Sequence, residues 1–192
     1  MKVIVGITGA SGAIYGIRVL EELAARRAEV HLVVSRWGWE TIRSETDCHP
    51  RDVKALATFV YREDDLSAPI SSGSFRVDAM AVVPCSMKTV AAIAHGYSND
   101  LISRAASVRI KERGTLVIVP REAPLSPIHL ENLLSLARLG VVVLPPMPAF
   151  YNRPTSVREL VDHTVGRVLD QLGIEHNLVR PWGAGGGQSV EL

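Results

Sequence analysis

An apolar run from Val3 to Ile7 passes through Thr8-Gly9-Ala10-Ser11-Gly12 into a segment whose apolar residues, Ile14, Ile17, Leu20 and Leu23, recur at helical spacing. A strand that turns so tightly into a helix commits the chain to a βα unit, and the strand that follows then runs parallel to the first. The first N–H groups of that helix have no partner within it and carry the positive end of the macrodipole, while glycines in the turn let a ligand approach closely. The turn suits a phosphate, so a nucleotide or a flavin is the expected ligand. Its spacing, Gly6-x-x-Gly9-x-x-Gly12, differs from the G-x-G-x-x-G of dinucleotide enzymes, and the second strand ends in Ser35-Arg36 without a carboxylate for a ribose. Arg36 could meet the 2′-phosphate of NADP, and a tight turn with no ligand is the bland alternative.

The same alternation continues along the chain. Strands are expected at Val3–Thr8, Val30–Ser35, Ala79–Pro84, Leu116–Pro120 and Val141–Leu144, and helices at about Ala13–Arg27, Trp37–Thr46, Met87–His95, Leu101–Arg113, Ile128–Leu139 and Val157–Leu172. Apolar runs that scarcely alternate belong to strands buried on both faces. The fold expected is a three-layer α/β/α sandwich around a Rossmann-like or flavodoxin-like parallel sheet. With 192 residues, 47% of them hydrophobic, residues 1–180 suffice for a single domain. Residues 181–192, almost all glycine from Gly183 to Gly187, read as a flexible tail in which Trp182 could pin the preceding segment or wall a ligand.

Ligands in such sheets sit beyond the carboxyl ends of the strands. Those ends carry Gly9-Ala10-Ser11, Ser35, Pro84-Cys85-Ser86-Met87-Lys88-Thr89, Pro120-Arg121-Glu122-Ala123-Pro124 and the proline-rich run Pro145 to Pro154 with Tyr151. Hydroxyls, cations, a carboxylate and a phenol thus gather on one edge, as an anionic aromatic ligand requires. Plainer readings stand beside these. Ser86 could simply cap its helix, Arg121-Glu122 could be a surface ion pair, Ser71-Ser72-Gly73-Ser74 a flexible turn, and Glu63-Asp64-Asp65 a solvated acidic run.

Charge and composition narrow the classes. With 21 basic and 20 acidic side chains, the net charge of +1 supplies no field for nucleic acid or an anionic membrane. No apolar stretch reaches the roughly 20 residues of a membrane span. Cys48 and Cys85 make no disulfide framework, and the six histidines show no metal-binding spacing. A soluble, cytoplasmic, metal-free protein is expected.

Read together, the motifs resemble a known family. Val5 to Ala13, Ser44-Glu45-Thr46-Asp47, Ser71 to Phe75, Pro84 to Thr89, Arg104-Ala105-Ala106, Lys111-Glu112-Arg113, Pro120 to Ser126, Ile128 to Asn132 and Pro146 to Tyr151 recur in this order in UbiX-type flavin prenyltransferases. The likeness runs to Trp182 and is nearest the branch once named for phenolic-acid decarboxylases. It implies an enzyme that joins the dimethylallyl group of dimethylallyl phosphate to N5 and C6 of reduced FMN and passes prenylated FMN to a UbiD-type decarboxylase. It further implies a homododecamer with active sites where subunits meet.

The resemblance also assigns residues. Gly9, Ala10, Ser11, Ser35, Ser86, Met87, Lys88, Thr89 and Arg121 would hold FMN, while Arg104, Lys111, Tyr151 and Arg167 would hold the prenyl phosphate, with Trp182 nearby. Glu122 would protonate the leaving phosphate, and Glu45, with Ser11 as relay, would take the proton lost at C6. Leu66 stands where some members carry a tryptophan, leaving Tyr151 and Trp182 as the aromatics for the prenyl group. Two other classes share much of this pattern: a non-catalytic FMN-binding subunit of a decarboxylase, and relatives of flavin-dependent cysteine decarboxylases.

Overall fold

The computed structural model describes residues 1–179; Trp182 and the segment 181–192 lie outside them. Its elements are β1 (Lys2–Ile7), α1 (Ala13–Ala25), β2 (Glu29–Val34), α2 (Arg36–Glu45), α3 (Pro50–Ala55), β3 (Phe59–Tyr61), β4 (Ala79–Cys85), α4 (Met87–Ala94), α5 (Leu101–Lys111), β5 (Thr115–Pro120), α6 (Pro127–Arg138), β6 (Val142–Val143) and α7 (Val157–Leu172). A single 3₁₀ turn, Pro69–Ser71, precedes β4. The strands pair in the order β3-β2-β1-β4-β5-β6, and every pairing is parallel.

The strand residues alternate between two cores. Val3, Val5 and Ile7 of β1 join Val30, Leu32, Val34, Ala81, Val83, Val117 and Val119 in a core covered by α1 and α7. Ile4, Val33, Met80, Val82, Leu116 and Ile118 face the opposite side, covered by α4, α5 and α6. Both faces are apolar because each receives a helical layer, which explains the scarcely alternating runs. The sheet changes direction between β1 and β4, and the crevice beyond their carboxyl ends is the place for a ligand.

Several expectations shift. β3 and α3 carry too little pattern to be read from sequence: β3 has three residues and pairs only with β2 through His31, Leu32 and Val33. β6 shrinks to Val142–Val143 at the other edge. Residues Ser71–Ser74 form a turn tied down by hydrogen bonds. Arg104 Nε donates to Ser71 O at 3.0 Å, and the Ser72 and Ser74 hydroxyls lie 2.9 Å apart. The acidic run is divided too: Asp64 pairs with Arg62, whereas Glu63 Oε1 accepts the Arg36 N–H at 2.8 Å in the first turn of α2. Glu63 thus has a backbone partner in addition to solvent.

Candidate active site at the sheet's switch point

Thr8 joins the two strand ends that frame the crevice. Its buried hydroxyl donates to Pro84 O at 2.9 Å and accepts the Ser86 N–H at 2.7 Å. Ser86 is thereby held at the start of α4, where its Oγ accepts the Thr89 N–H at 3.3 Å and lies 3.1 Å from Thr89 Oγ1. The cap leaves one hydroxyl hydrogen of this pair and the first N–H groups of α4, those of Met87 and Lys88, for a ligand. The Lys88 side chain leans away, with Nζ 3.6 Å from Asp100 Oδ2. Ser35 caps α2 in the same manner, accepting the Gly38 N–H at 3.0 Å.

The glycine turn differs from its sequence reading. Glu45, at the last turn of α2, reaches the start of α1, and its Oε2 accepts from Gly12 N at 2.7 Å and Ala13 N at 3.1 Å. The position expected for a phosphate is therefore already filled by a carboxylate, whereas at the start of α4 the Met87 and Lys88 N–H groups point outward from the helix without an intrahelical partner. Burial pushes the Glu45 carboxyl up, but the Ser11 hydroxyl, the Gly12 and Ala13 N–H groups and the Arg121 charge outweigh it and hold it below its ordinary value. Arg121 N donates to Cys85 O at 3.2 Å, which sets this residue beside Ser86. Ser11, Ser86 and Arg121 from three strand ends and Glu45 from the end of α2 thus gather around one crevice.

The crevice has walls the sequence reading passed over. A Cβ on Gly9 would collide with Trp37, so the turn and the first turn of α2 are in direct contact; the Trp37 side chain is 70% exposed. Tyr15 stands on the other side, its ring 2.8 Å from where a Gly12 Cβ would lie. Burial raises the Tyr15 phenol, against a hydrogen bond with Thr164 of α7 and the charge of Arg121. Trp37 lies two residues beyond Ser35 and was accessible to the strand-end rule. Tyr15 and Thr164 have no signal in sequence, because α1 and α7 meet only in the folded chain.

The remaining candidates are scattered. Glu122 is exposed, and its Oε1 accepts the Ala123 N–H at 3.0 Å rather than pairing with Arg121. Arg104 and Lys111 sit on α5, the former on Ser71 O and the latter against Glu112. Arg167 lies on α7 with Asp170 Oδ2 at 2.6 Å, and the Tyr151 hydroxyl is 3.0 Å from His163 Nε2. Burial, then the Arg167 charge, lowers the His163 imidazole. Since α5 covers one face of the sheet and α7 the other, one chain does not bring Arg104 and Lys111 to Arg167. Among the described residues no cluster of three metal-ligating side chains is present.

Comparison with known proteins places this geometry. Residues 1–169 match the Flavoprotein family model. A probable UbiX-like flavin prenyltransferase from Escherichia coli O157:H7 is 55% identical over 183 residues, covering 95% of this chain and 93% of that protein. The chain belongs to the UbiX-like flavin prenyltransferase family. Among solved structures, AnUbiX (PadA1) in complex with FMN and dimethylallyl pyrophosphate superposes with a TM-score of 0.93 at 51% identity, covering 94% of this chain and 96% of that one. A dodecameric FMN-dependent UbiX-like decarboxylase from Escherichia coli O157:H7 gives 0.90 at 56% identity over 92% and 97% of the chains. FMN-dependent cysteine decarboxylases such as SpaF share only the fold, with a TM-score of 0.61 at 18% identity.

Proposed function

We propose that this chain is a flavin prenyltransferase that joins the dimethylallyl group of dimethylallyl phosphate to N5 and C6 of reduced FMN and supplies prenylated FMN to a UbiD-type decarboxylase. The observation that carries this is the likeness, over 94% of the chain, to a structure holding both FMN and a dimethylallyl ester. Reduced FMN supplies the electron-rich ring positions. Everything else falls to the chain: holding two anions, neutralising the phosphate as it departs, and moving two protons.

For the flavin phosphate, the start of α4 fits, since the Ser86 and Thr89 hydroxyls and two backbone N–H groups meet a helix dipole there. Gly9, Ala10 and Ser11 supply the close backbone approach for the ring, with Ser35 and Arg121 at its flanks. Arg104, Lys111, Arg167 and Tyr151 would bind the prenyl phosphate by charge-assisted hydrogen bonds, which need no metal. Glu122 would protonate the departing phosphate oxygen. Glu45 would take the C6 proton through Ser11, a role supported by the contacts that favour its carboxylate form. Trp182, outside the described residues, keeps the aromatic role that the resemblance implies.

Because α5 and α7 lie on opposite faces, these cations can share one phosphate only across a boundary between copies. A homododecamer is accordingly proposed, in which apolar side chains such as Ile128, Met147 and Phe150, exposed by 67%, 70% and 67%, would be covered. Residues 1–180 are proposed as a single flavin-binding domain and the cytoplasm as its compartment; among the described residues no helix is long and apolar enough to cross a membrane.

The deciding experiment is mass spectrometry of the flavin after anaerobic incubation of the purified chain with FMN, dithionite and dimethylallyl phosphate. Gain of one C5H8 unit, dependent on the prenyl phosphate, is the expected result. Unchanged FMN on a protein that binds it would make the chain a flavin-binding subunit instead.

A further inference from the structure

Asp170 divides its carboxylate between two partners. Its Oδ2 accepts from Arg167 Nη1 at 2.6 Å, and its Oδ1 meets His176 Nε2 at 3.0 Å. His176 is no surface residue. Its side chain is 5% exposed, and its second ring nitrogen, Nδ1, accepts the Leu178 backbone N–H at 3.1 Å. An Nδ1 that accepts a hydrogen bond carries no hydrogen of its own, so the ring's hydrogen sits on Nε2 and points at Asp170.

The backbone is shaped to deliver this ring. After α7 the chain reverses at Gly173, with φ 72°, and returns along the helix. A Cβ at Gly166 would lie 2.8 Å from His176 Cε1 and 2.5 Å from Val179 Cγ2, so glycine is what lets the returning segment lie so close. Leu178 and Val179 then wall a cavity of about 460 Å³ shared with Ala149, Asn152 and His163, and His163 is the partner of the Tyr151 hydroxyl.

An exposed Arg–Asp pair by itself orients an arginine weakly, because both side chains give up rotamer freedom to make it. Here Asp170 is anchored at its far oxygen by a buried ring that is itself held by backbone, so its orientation is set before Arg167 arrives. We propose that His176 is a positioning residue: through Asp170 it orients the Arg167 guanidinium for the phosphate of the prenyl substrate, coupling residues 174–179 to phosphate binding. This rests on the phosphate role given to Arg167 under the proposed function. The alternative relation, in which Asp170 merely competes with phosphate for Arg167, has the opposite sign, since loosening Asp170 would then strengthen binding.

The test is a double-mutant cycle between His176 and Arg167, read as dimethylallyl phosphate affinity by calorimetry and as KM by product formation. In His176→Leu both constants should rise about three- to tenfold, a coupling ordinary for residues in one network, while FMN affinity stays within about twofold. His176→Gln, whose amide can still donate to Asp170, should recover most of the loss. In an Arg167→Met background His176→Leu should add nothing. Unchanged or lowered constants in folded His176→Leu, or equal increments in both backgrounds, overturn the proposal. Nitrogen-15 NMR of the wild-type ring gives a readout that survives a variant's failure to fold: a protonated Nε2 with a bare Nδ1 supports the relay, and the reverse tautomer or an imidazolium refutes it. Wild type that binds dimethylallyl phosphate yet transfers nothing to FMN would refute the functional reading alone, leaving the binding arm to decide the relay.

Discussion

Replacing Glu45 by Gln separates the residue's two tasks. In the folded chain its Oε2 accepts from Gly12 N and Ala13 N at 2.7 and 3.1 Å, at the positive end of α1. A Gln carbonyl can keep both bonds. What is lost is the charge, with an interaction at a helix start of about 0.3–1 kcal/mol, and the extra strength of hydrogen bonds to an ionised acceptor, roughly half of each. The edge is exposed, so screening keeps the total near 1 kcal/mol, or about 2–4 °C in melting temperature for a chain of this length. The proton transfer, by contrast, loses its base, which costs about 10²- to 10⁴-fold. Glu45→Gln should therefore melt close to wild type, release phosphate from dimethylallyl phosphate, and form prenylated FMN at least about a hundredfold more slowly. Differential scanning fluorimetry, a phosphate assay and flavin mass spectrometry read the three quantities. Acid stability carries the sign of the same contacts. A carboxyl depressed in the folded chain stabilises it above the ordinary value of 4.5 and ceases to as pH falls through the lower folded value, so the variant should lose that part of its acid sensitivity. Product formation within about threefold of wild type would refute the base role. A loss of stability several times larger would refute the cap geometry.

Three further outcomes are expected. Ser86→Ala removes the α4 cap, at about 1 kcal/mol of stability, and a hydroxyl offered to the flavin phosphate, so FMN affinity should fall about 10- to 100-fold in fluorescence titration; unaltered affinity would move the flavin phosphate elsewhere. In Gly16→Ala the new methyl collides with the Val83 carbonyl and the Ile7 side chain; since backbone cannot move aside, urea denaturation should report a loss of about 2–3 kcal/mol, and a neutral result would mean that α1 sits further from the sheet. Removal of divalent cations with EDTA should leave turnover unchanged, and loss of activity restored by magnesium would refute a phosphate site built from side-chain cations alone.

Legibility from sequence followed the range of the interactions. The βα turn, the apolar runs and the helical periodicity are local patterns, and a strand buried on both faces has no way to hide its composition, so the parallel three-layer architecture was readable residue by residue. Ser86 could be placed as a cap because an N-cap lies beside the helix it serves, and the Ser35 cap was open to the same argument. β3 and α3 escaped because a three-residue edge strand and a six-residue helix owe their existence to neighbours rather than to their own pattern.

The site shows the division most sharply. The chain alone determined which chemical groups stand at the strand ends, since topology sends every strand's carboxyl end to one edge. Only the tertiary structure decided how those groups are used: Glu45 crosses 33 positions of sequence to fill the α1 start, and Thr8 crosses 78 to hold the Ser86 N–H. It also decided that Arg104 and Lys111 belong to one face of the sheet and Arg167 to the other. Hydrogen bonds and charges act over a few ångströms, and separation along the chain says nothing about such distances until the sheet has brought the strand ends together.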